Sequence, residues 1–236
     1  IVGHNAQGKT NLLEAMWIMS GCRSFRGSKE KDYISLDGNR MSSKIRIRDS
    51  VREQKISFEM SKSSAPQKIL HVNGVKQKGT KSLFEVFKCI AFTPDDVEIV
   101  KGSPERRRSF IDMAASQLNP LFVLHVSKHS AVMNQRNALL KEIMNGKADS
   151  SILEIWDTQA AHEGALISYM RNEYVSKINE ICGRLYKTIS GGTEELELEY
   201  RSNVYKSSDF EKPCNEQAFQ QYYNKLRESA EYDIRT

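Results

Sequence analysis

Gly3-His4-Asn5-Ala6-Gln7-Gly8-Lys9-Thr10 fits the pattern G-x-x-x-x-G-K-[ST] at every fixed position. Residues of these types at this spacing bind phosphate. Two glycines let the backbone turn tightly and approach the oxygens, and the loop amides converge on the anion. Lys9 supplies a cation for the β- and γ-phosphates, and the Thr10 hydroxyl is placed to ligate Mg²⁺. Asn11 to Met19 reads as a helix, whose positive N-terminal end would face the phosphates. Gly3, His4, Asn5, Ala6, Gln7, Gly8, Lys9, Thr10 and Asn11 are therefore the candidate nucleotide site, of the Walker A or P-loop kind. The alternative is a chance glycine-rich turn. The complete spacing and the helix directly after it argue against that.

Other residues with chemical potential give weaker signals. Pro94-Asp95-Asp96 follows a short apolar stretch. Either carboxylate could sense a metal or a γ-phosphate from a loop beside the P-loop, or Pro-Asp-Asp could be ordinary turn chemistry. Arg23, Arg26, Lys29 and Lys31 form one basic cluster, and Lys101 with Arg106, Arg107 and Arg108 forms another. Arg23, Arg26, Lys101, Arg106 and Arg107 are the candidate contacts to nucleic-acid phosphates. Arg23 or Arg26 could instead reach the nucleotide, and one arginine of 106–108 is expected to be structural. His125 and His129 could share a helix face, but no third ligand stands at a metal-binding spacing. Cys22, Cys89, Cys182 and Cys214 show no C-x-x-C pair and read as free thiols of a reducing, cytoplasmic setting.

Charge is unevenly distributed. Residues 1–120 hold 21 Lys and Arg against 13 Asp and Glu, while residues 121–236 hold 14 against 17. A basic half beside a nucleotide motif suggests a polyanionic partner. The chain has no run of 18 apolar residues, so no membrane span is expected.

The elements that must position these groups can be read from periodicity. Residues 42–60 alternate, with Lys44, Arg46 and Arg48 interleaved with Ile45 and Ile47, and Ile56, Phe58 and Met60 at spacing two. That is the pattern of half-buried strands. Asn73-Gly74 predicts a hairpin turn, and an antiparallel meander follows. Lys88 to Phe92 reads as a buried strand. Ser103-Pro104-Glu105 is a helix start. A helix is expected from Pro120 to Met144, closed by Asn145-Gly146. A second long helix carries the apolar stripe from Trp156 to Leu185 and pairs antiparallel with the first. Ser190-Gly191-Gly192 ends it. Leu196, Leu198 and Tyr200 alternate with glutamates as in a strand, and Asn215 to Ala230 reads as a final helix. Only Ile1-Val2 precede the P-loop, which needs a buried strand before it, so a fragment truncated at its start is expected.

Taken together, the motifs resemble the RecF family of bacterial recombination ATPases, of the SMC/ABC class. Gly3 through Ala15 look like that family's P-loop. Phe92-Thr93-Pro94-Asp95-Asp96 through Pro104, with Arg106-Arg107-Arg108 to Asp112, is a second match. Gln135-Arg136-Asn137-Ala138-Leu139-Leu140-Lys141, Trp156-Asp157 and Ile189-Ser190-Gly191-Gly192 are further ones. Members of that family continue into an ABC signature and a Walker B acidic pair. Neither occurs here, so truncation at the far end is expected too.

The resemblance implies an α/β fold: an ABC/SMC-type ATPase lobe with a mixed sheet and antiparallel strands, over residues 1–102 and 188–236. Residues 103–187 would form a helical arm. It implies ATP and Mg²⁺ as cofactors and an ATP-dependent homodimer when full length. The dimer would clamp double-stranded DNA near single-strand gaps, in DNA repair, replication and the SOS response. RecR and RecO would be partners, and RecA an indirect one. At full length it would be a slow DNA-dependent ATPase, with this fragment itself inactive. The alternatives are another SMC-like repair ATPase, whose arm would need sustained heptads that are absent, and a P-loop kinase or phosphotransferase, which the basic half disfavours.

Overall fold

The computed structural model describes residues 1–22, 24–62 and 67–235. The chain forms two compact units, Ile1–Pro120 and Leu121–Thr236.

The first unit opens with α1, Lys9–Ile18, directly after the P-loop motif. Four antiparallel strands follow in sequential order: β1 (Arg40–Arg48), β2 (Glu53–Ser61), β3 (Lys68–Val72) and β4 (Val75–Gln77). This is the expected meander. Its last turn is Asn73-Gly74, with φ of 51° and 82°. Such a two-residue turn matches the twist of the strands it joins. Period-two alternation sorts the side chains. Ile56, Phe58 and Met60 of β2 are buried, and the residues between them are exposed or half-buried. Ile56, Phe58 and Leu70 pack with Ile18 and Met19 from the end of α1 and with Leu83. The buried sheet face thus holds the C-terminal end of α1 and leaves its N-terminal end open.

Two expected strands are not strands. Residues 88–92 have no regular structure; Ile90 is 95 % and Phe92 90 % exposed. Among the described residues no strand pairs with this segment, and the Cys89 N–H donates to Gln117 Oε1 at 2.9 Å. Residues 194–200 are likewise irregular. There the Leu198 N–H donates to Asn179 Oδ1 at 2.6 Å, so the segment lies along a helix rather than in a sheet. Alternation of apolar and acidic residues suits either arrangement, and the tertiary partner decides.

After a turn at Pro94–Val97 come α2 (Glu98–Lys101) and α3 (Pro104–Leu118). Pro104 occupies the first helical turn of α3, as expected, but the Ser103 side chain makes no capping hydrogen bond.

The second unit contains α4 (Pro120–Met144), α5 (Leu153–Ile189) and α6 (Glu216–Arg235). Helix α4 ends at Gly146, φ 69°, with backbone bonds from Gly146 and Lys147 to Ile143 and Glu142. Helix α5 ends at Gly191-Gly192, both with positive φ. Contacts between α4 and α5 run in opposite directions along the two chains: His125 meets Glu163, Arg136 meets Asp157, and Leu140 packs near Leu153. The helices are therefore antiparallel, as the sequence suggests. Helix α6 is capped by Asn215 Oδ1, which accepts from Ala218 N–H at 3.1 Å, and packs on α5. A Cβ on Gly164 of α5 would lie 2.3 Å from Tyr222 Cζ of α6, so only glycine admits that ring.

Helix α3 falls in the first unit, and residues 188–236 fall with the helices. The reason is local packing: Tyr205, Phe210 and Cys214 gather around Ala165 and Tyr169 of α5, and the Tyr205 hydroxyl donates to the Ala218 carbonyl at 2.7 Å.

Candidate nucleotide site

The P-loop is shaped by two left-handed residues, Ala6 (φ 63°) and Gly8 (φ 78°). Positive φ suits Gly8, which has no Cβ; Ala6 holds it as a non-glycine residue, a conformation that clusters at ligand sites. Alternating backbone handedness turns successive N–H groups toward one side and makes an anion nest. Gly8 also caps α1, with Leu12 N–H donating to its carbonyl at 3.0 Å. The first amides of α1 have no carbonyl one turn back within the helix to bond to. A loop nest and a helix N-terminus therefore coincide at Gly8-Lys9-Thr10.

Lys9 folds back over this loop. Its Nζ donates to the Gly3 carbonyl at 2.6 Å and to the His4 carbonyl at 2.5 Å. Two neutral acceptors are weaker partners for an ammonium than a phosphate oxygen is. Thr10 is exposed in the first turn of α1. The donor set suits a phosphate group: convergent amides, a cation and a hydroxyl. Gly3 to Asn11 would hold the phosphates of a nucleotide and Thr10 its Mg²⁺.

The loop after α1 returns to the same end of the helix. Arg26 Nη1 donates to Asn11 Oδ1 at 2.9 Å and lies 3.6 Å from Glu14 Oε2. The Ser24 hydroxyl bonds to Glu14 and accepts from the Arg26 and Ser28 amides. Arg26 thus stands beside the P-loop helix, held by a carboxylate and an amide. Arg23 lies outside the described residues.

The other candidates are not joined to this site. Asp96 accepts from the Thr93 N–H at 2.5 Å and from the Thr93 hydroxyl at 3.1 Å, closing a capping box. Asp95 is exposed. Among the described residues no hydrogen bond or ion pair links either carboxylate to residues 3–11. Arg107 donates to the Gly102 carbonyl at 2.9 Å and lies within 3.5 Å of the Val100 and Ile99 carbonyls, so it caps the end of α2. Lys101 and Arg106 are exposed. The histidines serve packing. His125 Nδ1 is 2.6 Å from Glu163, and His129 meets the edge of Tyr222. No group of three metal-ligating side chains occurs among the described residues. All four cysteines are free, and burial pushes the Cys22 thiol up from its ordinary value, against the effect of a hydrogen bond from Ser20. No helix among the described residues is long and apolar enough to cross a membrane.

Sequence reasoning missed the pairing of Arg136 with Asp157. Arg136 Nε lies 2.5 Å from Asp157 Oδ1, and Arg136 Nη2 donates to the Leu226 carbonyl at 2.8 Å. The side chains are 3 % and 0 % exposed. Both residues stand in motifs that stood out in the sequence. A carboxylate at position 157, within the apolar stripe of α5, was the available signal.

None of the established protein-family profiles matches the chain. Individual relatives do. The chain is 33 % identical over 234 residues to the DNA replication and repair protein RecF of Lachnoclostridium phytofermentans, covering 99 % of this chain and 61 % of that protein. It is 33 % identical to the protein of the same name from Desulforamulus reducens, covering 97 % and 60 %. Two solved structures of the recombination mediator protein RecF in the RecFOR pathway, RecF-ATPrS and RecF-ATP, each superpose with a TM-score of 0.88. They are 31 % and 32 % identical and are covered for 61 % and 60 % of their lengths. The chain thus spans about three-fifths of the relatives it matches. With this likeness running from the P-loop to α6 in both sequence and fold, the chain belongs to the RecF family.

Proposed function

We propose that this chain is the ATP-binding part of a DNA repair and replication protein that acts as a recombination mediator. The observation that carries the reading is the P-loop itself: a left-handed nest at Ala6 and Gly8, a helix N-terminus, and Lys9 poised over the loop. A relative solved as RecF-ATP supports ATP as the nucleotide. ATP with Mg²⁺ supplies a multiply charged anion whose γ-phosphate differs between the triphosphate and diphosphate states. Lys9 neutralises phosphate charge, Thr10 offers the metal an oxygen, and the α1 amides orient the anion. Arg26, hydrogen-bonded to Asn11 in the first turn of α1, reads as a nucleotide-side contact rather than a DNA contact.

In this reading residues 1–102 and 188–236 belong functionally to the ATPase lobe, and residues 103–187 form its arm. The full-length protein would dimerise on ATP and hold double-stranded DNA near single-strand gaps. RecR and RecO would be its partners, in the cytoplasm, ahead of RecA loading. The basic first unit supports a DNA partner. Titrating a labelled duplex with this chain, with and without ATP and Mg²⁺ and at several salt concentrations, tests the reading. Affinity that falls linearly on a log–log plot against salt is expected. Absence of duplex binding at low salt, with or without nucleotide, would count against a DNA role for this part of the protein.

A further inference from the structure

The face of the meander turned away from the core carries a concentration of cations outside the P-loop. Alternation along β1 puts Lys44, Arg46 and Arg48 on that face, and all three are exposed. The register pairs Arg46 with Lys55 and Lys44 with Ser57, and then Ser57 with His71 and His71 with Lys76. Lys55 and Lys76 are exposed too. Lys44, Arg46, Lys55, Ser57, His71 and Gly74 line a depression of about 350 Å³ on this face. Two carboxylates share the face, Glu53 and Glu59, the latter exposed and opposite Ser42. Glu53 sits 3.6 Å from Arg46 and 3.9 Å from Lys55. Among the described residues Lys44, Arg48 and Lys76 have no ion pair.

We propose that this open sheet face, centred on Lys44, Arg46 and Lys55, binds the phosphate backbone of duplex DNA. The inference rests on the DNA role proposed above and assigns it a surface. Three arguments select a duplex. Four strands spaced by about 4.8 Å make the patch about 14 Å wide from β1 to β4, and Lys44 to Arg48 covers about 13 Å along the strand. A surface of that size spans a major groove of about 12 Å and reaches phosphates on both of its sides. The face also carries no Phe, Tyr or Trp, so it offers no stacking platform for single-stranded bases. Finally, its cations rise from a hydrogen-bonded sheet, whose fixed spacing suits a regular array of phosphates better than a flexible acidic peptide. Phosphate contacts of this kind carry no base information, so binding is insensitive to sequence.

The test compares the 236-residue chain with the triple variant Lys44→Gln, Arg46→Gln, Lys55→Gln. A control variant, Lys177→Gln, Lys187→Gln, Lys212→Gln, removes the same charge elsewhere. Unchanged thermal melting shows that each variant folds. Duplex affinity is measured at several salt concentrations for two unrelated sequences. The sheet variant is expected to bind at least about tenfold more weakly at low salt, with a log–log slope shallower by roughly two to three and the same loss on both sequences. The control should lose much less. An unchanged slope in the sheet variant overturns the proposal while leaving the DNA role intact, and so does an equal loss in the two variants, which would show a net-charge effect. Failure of the unsubstituted chain to bind duplex overturns both.

Discussion

At the scale of single residues, a buried ion pair ties the helices of the second unit together. Arg136 of α4 reaches Asp157 of α5 and the Leu226 carbonyl of α6, so a single guanidinium ties three helices. Asp157 Oδ2 is buried without a hydrogen bond among the described residues, and Arg227 is 3.8 Å away. Removing one partner strands the other charge. Arg136→Met should destabilise the unit by about 3–5 kcal/mol, measured by denaturant unfolding, whereas Arg136→Met with Asp157→Leu should cost much less. Equal losses in the single and double variants would show that packing rather than charge is at stake. His129 gives a pH signature. Burial lowers its pKa below the ordinary 6.5; Arg171 adds to the shift and Glu163 opposes it. The unfolded chain therefore takes up the proton first as pH falls. Above the unfolded value this residue has no effect, and stability declines as pH falls through 6.5 toward the lower folded value. His129→Phe should flatten the stability profile between about pH 7.5 and 5 relative to the parent chain.

At the scale of elements, Gly164 shows how closely α5 and α6 approach. Gly164→Ala places a methyl within the Tyr222 ring and should cost about 1–3 kcal/mol, while the same change in a Tyr222→Ala background should be nearly neutral or stabilising. A double-mutant cycle in thermal melting reads the coupling. Helices were the legible part of this chain. The start at Pro104 and the stop at Gly191-Gly192 are local signals, and the structure has both; the stripe of α5 is buried at Ala160, Gly164 and Ile167 but exposed at Ile181 and Leu185. The meander was legible for the same reason, since alternation and Asn73-Gly74 are both local. The segments at 88–92 and 194–200 were misread because a strand exists only through its neighbour. Their apolar spacing is genuine, but their backbone partners are Gln117 and Asn179 side chains. The P-loop pattern could be read directly because its residues are contiguous. The Arg136–Asp157 pair was not, because its members are 21 residues apart and meet only once α4 and α5 pair.

For the whole molecule, the account rests on a division of labour. The first unit carries the nucleotide motif and an excess of positive charge, and the second is a helical body held by buried polar and aromatic contacts. Its central claim is that Gly3 to Thr10 bind nucleotide phosphates. Calorimetric titration of ATP with Mg²⁺ into the chain and into Lys9→Ala is the most direct test. Lys9 lies at the surface of the loop and, among the described residues, hydrogen-bonds to the Gly3 and His4 carbonyls, so the variant should melt as the parent does. The account predicts a loss of about 1.5–3 kcal/mol in binding, at least about tenfold in affinity, for the removed charge-assisted contact. Equal ATP affinity in a folded Lys9→Ala chain would contradict it.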